Sequence, residues 1–425
     1  MRKICGFLVA AALVASPGRL SAYSVLAHEA AIDVAWDSGL RPLLRQRFPR
    51  SSPGEIDQAR AFAYGGSVIQ DLGYYPFGTK FFSNLLHYTR SGDFVETLLR
   101  DARDLNEYAF ALGALAHYAN DNAGHPEAVN LSVPLVFPKL RAKFGDAITY
   151  EQAPKEHVIV EYSFDVSRVA GTVYPISAYR NLIGFQVALP LLERAFRETY
   201  GLEMRDVFAN TDRAISTYRY SVSQLIPALT EAAWRAKREE IAAVAPKATR
   251  ETFVFAYGRP DYERDYGSNY RKPALFARFL AFVYRIVPKV GPLRPLAFKA
   301  PTPQAEKLFA ASFRDANDRF AAYLASLRAG RLDLRDTNFD TGGPSRHGRY
   351  GLADQTYEDL LNRLSDRRFE RVPPALGADI VAFYGESPRP SAASSKERKH
   401  WKKIQVELAA LKYIQPPTRA TNTGN

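Results

Sequence analysis

Apolar residues recur at spacings of three and four along the first part of the chain. The pattern is clear in the segments AHEAAIDVAW, DFVETLLRDA, EYAFALGALAHYA and PKEHVIVEYSFDV. Such spacing places the apolar side chains on one face of a helix. Segments rich in Pro, Gly and Ser, such as FPRSSPGE and GYYPFGTK, separate these helices, and the alternation typical of strands is scarce. We therefore predict an all-α protein, with a multi-helix bundle over about the first two thirds of the chain.

The pattern changes in the second half of the chain. A second helical block ends near residue 245, and residues 266–305 then contain seven Lys and Arg residues and no acidic residue. The part at 271–299 is either a core helix followed by a basic loop or an amphipathic segment that makes a peripheral contact with an anionic membrane surface. We expect residues 246–386 to form a largely helical, partly irregular C-terminal extension. Residues 387–425 have the composition of a linker and a disordered tail.

Residues 1–22 have the features of a secretory signal peptide. Two basic residues precede an apolar run, and small residues lead to Ala22. We therefore expect cleavage before Tyr23 and a secreted or periplasmic location. The only cysteine, Cys5, lies within this segment. A metal site in the processed chain must therefore be built from histidines and carboxylates.

The charge of the chain is strongly basic. The formal net charge is +12, and loss of the three basic residues of the signal peptide leaves +9. Such an excess favours anionic partners. Phospholipid surfaces, nucleic acids and phosphate esters all fit, and the charge does not distinguish among them.

The apolar helix ALGALAHYAND runs into the polar motif HYANDNAGH, in which His117, Asp121 and His125 are spaced four residues apart. Asp121 therefore projects from the same helix face as His117, one turn later. The rest of that face is alanine and leucine, which is typical of a buried surface. A buried carboxylate needs a positive partner, and a metal ion is one such partner. The alternative is a histidine–aspartate hydrogen bond that ties two core helices together.

Further histidines and carboxylates lie in the same part of the chain. Five of the seven histidines lie between residues 28 and 157. The segment KEHVIVEYSF repeats the four-residue spacing with His157 and Glu161, while His28, Asp71 and His87 lie upstream. Helical proteins usually hold metal clusters with such ligands, delivered from several helices into the bundle core. Paired metal ions suit the hydrolysis of phosphate esters.

This ordered set of residues resembles the zinc-dependent phospholipases C, which share their fold with the S1/P1-type nucleases. The resemblance covers about residues 23–165 and implies three zinc ions, one of them held partly by the free amine and carbonyl of the first processed residue. The implied ligands of the first zinc are Asp71, His87, His117 and Asp121. Those of the second are Tyr23, His28 and Asp121, which bridges the pair. Those of the third are His125, His157 and Glu161.

Two features depart from the family pattern. The family usually starts with tryptophan where this chain has Tyr23, although only main-chain atoms of that residue would bind metal. The C-terminal half also extends well past the compact family members. The pair His157 and Glu161 favours the phospholipase branch, because the nuclease branch usually closes with aspartate.

The resemblance implies a phospholipase C-like helical domain at residues 23–245. The implied function is that of a secreted zinc phosphodiesterase that hydrolyses phospholipids with metal-activated water. Asp71 is then a ligand, the catalytic base, or both. One alternative is a single-strand nuclease or nucleotidase with the same metals, and another is a non-catalytic, zinc-stabilised binding protein. No obligate protein partner is implied.

Three other signals are set aside. The segment HEAAI begins like a HExxH metalloprotease helix but lacks the second histidine, so we expect Glu29 on the helix surface. The DTG triplet at Asp340 matches the aspartic proteases, yet it occurs once, in a polar loop without the flanking strands. His347 and His400 lie among charged residues, and we expect both to be solvated.

Overall fold

The computed structural model describes residues 25–170, 185–222, 299–385 and 395–414, with the single positions 234 and 239. The signal peptide, Tyr23 and nearly all of the basic segment 271–299 lie outside these residues. Both expected boundaries of the C-terminal extension also lie outside them. The division into domains and the membrane contact of segment 271–299 therefore stay predictions. The expectation of a disordered tail is wrong for residues 395–414, which form a helix because Ile404, Leu408 and Leu411 are buried in the main hydrophobic core.

Regular structure in the described residues is helical, apart from one antiparallel bridge between Asn338 and Gly343. The predicted all-α class is confirmed. The first helices are α1 Val25–Ala35, α2 Arg41–Arg47, α3 Pro53–Val68, α4 Lys80–Tyr88, α5 Ser91–Asp101, α6 Leu105–Gly124, α7 Asn130–Val136, α8 Pro138–Phe144 and α9 Pro154–Ala170. The later helices are α10 Leu189–Tyr200, α11 Met204–Val207, α12 Thr211–Tyr220, α13 Pro303–Arg328, α14 Gly351–Asp366, α15 Pro374–Gly385 and α16 Ser395–Ile414. None of the described helices is both long and apolar enough to cross a bilayer.

Helix α6 is the central element of the fold. The side chain of Asp104 caps its first turn by accepting a hydrogen bond of 2.8 Å from the main-chain nitrogen of Glu107. Every residue from Glu107 to Gly124 is buried. A helix without a solvent-facing side must lie inside the bundle. The polar side chains of its last turns are therefore held in the protein interior.

Helix α3 crosses α6 at a short separation because both helices carry glycine at the contact. A Cβ atom on Gly66 would lie 1.8 Å from the carbonyl oxygen of Phe110, and one on Gly113 would lie 2.0 Å from that of Ala63. Only glycine permits so close an approach of two backbones. The crossing brings the C-terminal end of α3 against the middle of α6, where His117 lies.

The C-terminal extension packs into the same core as the N-terminal helices. Helix α13 is capped by Thr302, whose side chain accepts a hydrogen bond of 3.2 Å from the main-chain nitrogen of Ala305. It packs against α6, and its buried residues Phe320 and Leu324 share a hydrophobic cluster with α3, α4 and α6. Helix α14 packs against α4. The described part of the extension is therefore largely helical, as predicted, with an irregular stretch between α13 and α14.

Candidate metal centre

Asp121 lies at the centre of a buried cluster of imidazoles. Its Oδ1 atom is 3.4 Å from His28 Nε2. Its Oδ2 atom is 3.3 Å from His87 Nε2 and 3.0 Å from His117 Nε2. Helices α1, α4 and α6 each supply one of these histidines, and all four side chains are buried. The two oxygens of Asp121 thus face imidazoles from different helices, which suits a carboxylate that bridges two metal ions.

Asp71 joins this cluster from the 3-10 turn Ile69–Tyr74, which follows α3. Its Oδ1 atom lies 3.4 Å from His87 Nε2, and the residue is 2% exposed. Asp71, His87 and His117 offer ligand atoms that all lie within 4.8 Å of one another. His28, His117 and Asp121 form a second group by the same measure.

A third group lies where α6 ends and α9 begins. His125, His157 and Glu161 offer ligand atoms within 4.8 Å of one another. His157 Nδ1 is 2.5 Å from Glu161 Oε1, one helical turn later on α9. His125 Nε2 lies 3.8 Å from Asp121 Oδ2. The third group therefore adjoins the other two.

The three groups contain every ligand side chain that the sequence and the resemblance indicated. These are His28, Asp71, His87, His117, Asp121, His125, His157 and Glu161. Tyr23, the remaining candidate, lies outside the described residues. The structure thus brings the eight side chains together, and their role as zinc ligands stays a prediction.

Main-chain carbonyl groups orient two of the imidazoles. His87 Nδ1 lies 2.7 Å from the carbonyl oxygen of Ser83, and His117 Nδ1 lies 2.9 Å from that of Ser67. Because a carbonyl oxygen only accepts hydrogen bonds, Nδ1 carries the hydrogen in both rings. Each neutral ring then presents the lone pair of Nε2 to the cluster, as a metal ligand must.

The charges in this cluster favour a bound cation. Burial would lower the pKa of His87, but its contacts with Asp121 and Asp71 outweigh this effect and raise the pKa to about 10. Burial would raise the pKa of Asp121, but attraction to His117 holds that pKa well below its usual range. Burial and repulsion from His117 lower the pKa of His28 to about 3. The site therefore holds a buried negative charge on Asp121 among imidazoles, where a metal ion can take the place of a proton.

The nitrogen and oxygen atoms of the cluster are better suited to bind a metal ion than to form hydrogen bonds with one another. Within the described part of the chain, His87 Nε2, His117 Nε2, Asp71 Oδ1 and both carboxylate oxygens of Asp121 are buried without a hydrogen-bond partner. Buried polar atoms of this kind are rare in folded proteins. Imidazole nitrogens and carboxylate oxygens are ligands that zinc prefers. The residues present therefore fit zinc.

Asp340 is a member of this site that sequence reasoning missed. It is 2% exposed, and its Oδ1 atom lies 3.0 Å from His125 Nδ1. Burial would raise the pKa of Asp340, but attraction to His125 outweighs this effect and lowers the pKa to about 2. The hydroxyl groups of Tyr88 and Tyr350 both donate hydrogen bonds to its Oδ2 atom. The contact joins residues distant in sequence, and a single DTG triplet carries no signal of it.

Two expectations about isolated residues are wrong. Glu29 is 2% exposed instead of lying on the helix surface, because α1 is covered by α3, α6 and α9. Burial, and then repulsion from Asp33 and Asp165, raise the pKa of Glu29 well above its usual value. His347 is half-buried, since its ring lies 5.2 Å from that of Trp401. The expectation for His400 is confirmed, because its side chain is 51% exposed.

The comparison with known families agrees with this geometry. Residues 27–210 match the family model described as zinc dependent phospholipase C. The matched span includes the eight side chains of the three groups, and the loop that carries Asp340 lies beyond it. The search of curated proteins and the search of solved structures each found no match. Over residues 27–210, this chain is therefore similar to the zinc-dependent phospholipases C.

Proposed function

We propose that this protein is a secreted or periplasmic phosphodiesterase that binds three zinc ions and hydrolyses phospholipids, as a phospholipase C does. One observation carries the proposal. Three buried groups of histidines and carboxylates meet around Asp121, within the span that matches the family. A purely structural role would not explain why so many nitrogen and oxygen atoms of these side chains are buried without a hydrogen-bond partner.

The eight side chains have distinct tasks in this proposal. Asp121 spans the first two groups, since its Oδ1 faces His28 and its Oδ2 faces His87 and His117. His125, His157 and Glu161 hold the third position. When bound, zinc supplies Lewis acidity toward a phosphoryl oxygen and lowers the pKa of a coordinated water.

Asp71 is the candidate for proton transfer. Its Oδ1 atom is buried and has no hydrogen-bond partner in the described part of the chain. A carboxylate so placed can accept a hydrogen bond from the attacking water and orient it toward phosphorus. The same atom is close enough to His87 Nε2, at 3.4 Å, to act as a ligand. Asp71 therefore serves as a ligand, as the general base, or as both.

The substrate class follows from the family and the charge of the chain. Phospholipid headgroups carry the phosphodiester that such a site would hydrolyse. The processed chain would keep a charge of +9 out of the formal +12, after loss of the signal peptide's three basic residues. That excess of positive charge favours approach to an anionic lipid surface.

The test uses protein that starts at Tyr23 and vesicles of defined phospholipids. We expect release of water-soluble phosphate ester that stops with a chelator and returns with zinc. Asp71→Asn should abolish the release. Asp57→Asn is the matched control, because Asp57 is an exposed carboxylate that lies 3.3 Å from Arg41, and it should leave the rate unchanged.

The alternatives give different outcomes in the same assay. If the zinc-loaded protein releases nothing from lipid but cleaves single-stranded nucleic acid, it acts as a nuclease. If the zinc-loaded protein acts on neither substrate, it is a zinc-stabilised binding protein. Either result contradicts the proposal.

A further inference from the structure

The loop between α13 and α14 is fastened to the metal-binding half of the molecule. Asn338 and Gly343 close a tight turn, in which the main-chain nitrogen of Asn338 donates to the carbonyl oxygen of Gly343 at 2.7 Å. Gly342 has a φ of 71°, and a Cβ atom there would lie 3.1 Å from Pro126 Cγ. Glycine thus lets the turn sit directly against the residue that follows His125.

Within this turn, Asp340 holds one histidine of the third group. Its Oδ1 atom lies 3.0 Å from His125 Nδ1. Its Oδ2 atom accepts hydrogen bonds from the hydroxyl groups of Tyr88 and Tyr350. The contacts at Oδ2 fix the orientation of the carboxylate, and its Oδ1 faces His125 Nδ1 as an acceptor, which favours the tautomer with the hydrogen on Nδ1. The lone pair of that ring is then on Nε2, the atom that faces Asp121 at 3.8 Å.

The turn at Asp340 also orients His157, the second histidine of the third group, because it binds Asn130, which in turn contacts His157. The Nδ2 atom of Asn130 donates a hydrogen bond of 2.7 Å to the main-chain oxygen of Asp340. This fixes the orientation of the Asn130 amide, so its Oδ1 faces His157 Nε2 at 2.9 Å. His157 therefore carries its hydrogen on Nε2 and turns Nδ1 toward Glu161.

We propose that Asp340 and Asn130 form one positioning unit that fixes the tautomer and orientation of both histidines of the third metal group, so that the C-terminal loop completes this metal site. The inference rests on the proposed function, since it takes His125, His157 and Glu161 as zinc ligands. Carboxylate and amide partners of this kind raise the basicity of a ligating histidine and hold its ring in place. Asp340 acts through His125 and is a positioning residue.

Asp336 offers a matched control in the same loop. It is an aspartate too, although only partly buried, and its Oδ1 atom accepts hydrogen bonds from the main-chain nitrogens of Gly92 and Asp93, at 2.9 and 3.0 Å. These contacts are with the first turn of α5 and leave the third metal group untouched. Asp336→Asn keeps an accepting oxygen and removes only the charge. A general effect of removing an aspartate charge from this loop would therefore appear in both Asp340→Asn and Asp336→Asn.

The experiment measures zinc content and zinc affinity in the purified protein. Wild type, Asp340→Ala, Asp340→Asn and Asp336→Asn are loaded with zinc and titrated with a chromophoric chelator. We expect Asp340→Ala to weaken one of the bound zinc ions by about 10–100-fold and to leave the others unchanged. Asp340→Asn, which keeps an oxygen for His125 Nδ1, should lie between Asp340→Ala and wild type. Asp336→Asn should match wild type.

Cobalt substitution adds a readout that a merely structural role would not move. The visible spectrum of the cobalt protein should change in Asp340→Ala and stay unchanged in Asp336→Asn, because only the first alters the geometry of a ligand. Equal affinity for every zinc in Asp340→Ala and wild type would overturn the inference. So would the same loss in Asp336→Asn. If Asp340→Ala does not fold, unchanged affinity in Asp340→Asn decides against the inference.

Failure of the inference is distinct from failure of the proposed function. Wild-type protein that binds no zinc refutes the function itself, whatever the variants do. Wild-type protein that holds zinc while the Asp340 variants lose none refutes only the role of the loop.

Discussion

The main-chain nitrogen of Phe339 donates a hydrogen bond of 3.1 Å to the carbonyl oxygen of His87. The phenyl ring of Phe339 is fully buried and lies 5.2 Å from the imidazole of His87. A residue of the C-terminal extension thus covers a candidate zinc ligand of α4. The next residue, Asp340, contacts His125 in the third group. The extension is therefore part of the wall of the candidate metal centre.

Asp121→Asn should remove the charge that the first two metal groups share. We expect loss of zinc from both groups and a fall in phosphodiesterase activity of at least about 100-fold, because even outer partners of a metal site cost up to that much. Glu127→Gln is the control, since Glu127 is a half-exposed residue just after α6 that pairs with Arg319. Zinc analysis and initial rates measure both effects. Full zinc content in Asp121→Asn would contradict the bridging role.

Processing at the N-terminus should be needed for full zinc content. Protein that begins at Tyr23 has a free amine at that residue, whereas one additional N-terminal residue converts the amine into a peptide bond. We expect the extended protein to hold about one zinc fewer per chain. Metal analysis of the two forms after identical dialysis measures this difference. Equal zinc content would show that the amine of Tyr23 is not a ligand.

Gly113→Ala should separate α3 from α6. Its Cβ atom would lie 2.0 Å from the carbonyl oxygen of Ala63, so the backbones must move apart. We expect a decrease in the free energy of unfolding of about 1–3 kcal/mol or more. Gly54→Ala is the control, because a Cβ atom there meets nothing within 4 Å, and it should be neutral or stabilise by up to about 1 kcal/mol. Denaturant unfolding compares the two, and equal midpoints would contradict the close crossing.

The stability of the extension should decrease as the pH rises from about 4 to 7. Burial raises the pKa of Asp379 to about 6 and that of Asp336 to about 7, above the value of about 4 in an unfolded chain. The folded state therefore holds these protons more tightly. Their contribution is fully present below the unfolded pKa and is lost as the pH rises through the folded pKa values.

Asp379→Asn should remove part of this dependence. Asn retains an oxygen that can accept the hydrogen bond from the Tyr357 hydroxyl, which is 2.9 Å long in the wild type. We expect the variant to gain stability relative to wild type as the pH rises toward 7. Urea unfolding of both proteins across this pH range, at the same zinc content, measures the difference. A difference that does not change with pH would show that Asp379 titrates normally.

Much of the site could be predicted because helical spacing is a local property. His117 and Asp121, or His157 and Glu161, share a helix face by being four residues apart. The apolar pattern likewise predicted that the face of α6 around His117 and Asp121 is buried. The order of histidines and carboxylates along the chain then carried the resemblance to a zinc-dependent family, which the match over residues 27–210 confirms.

Tertiary structure alone decided which distant residues complete the site. Asn130 and Asp340 are separated by 210 positions, and no local spacing connects them. Glu29 is buried because helices distant in sequence pack against α1, and its own helix does not encode these contacts. Hydrogen bonds and burial depend on which surfaces meet in space, and that is set by the packing of the whole core. The sequence by itself therefore determined the helices and the pairs of candidate ligands that they carry, and the packing determined how the C-terminal loop encloses them.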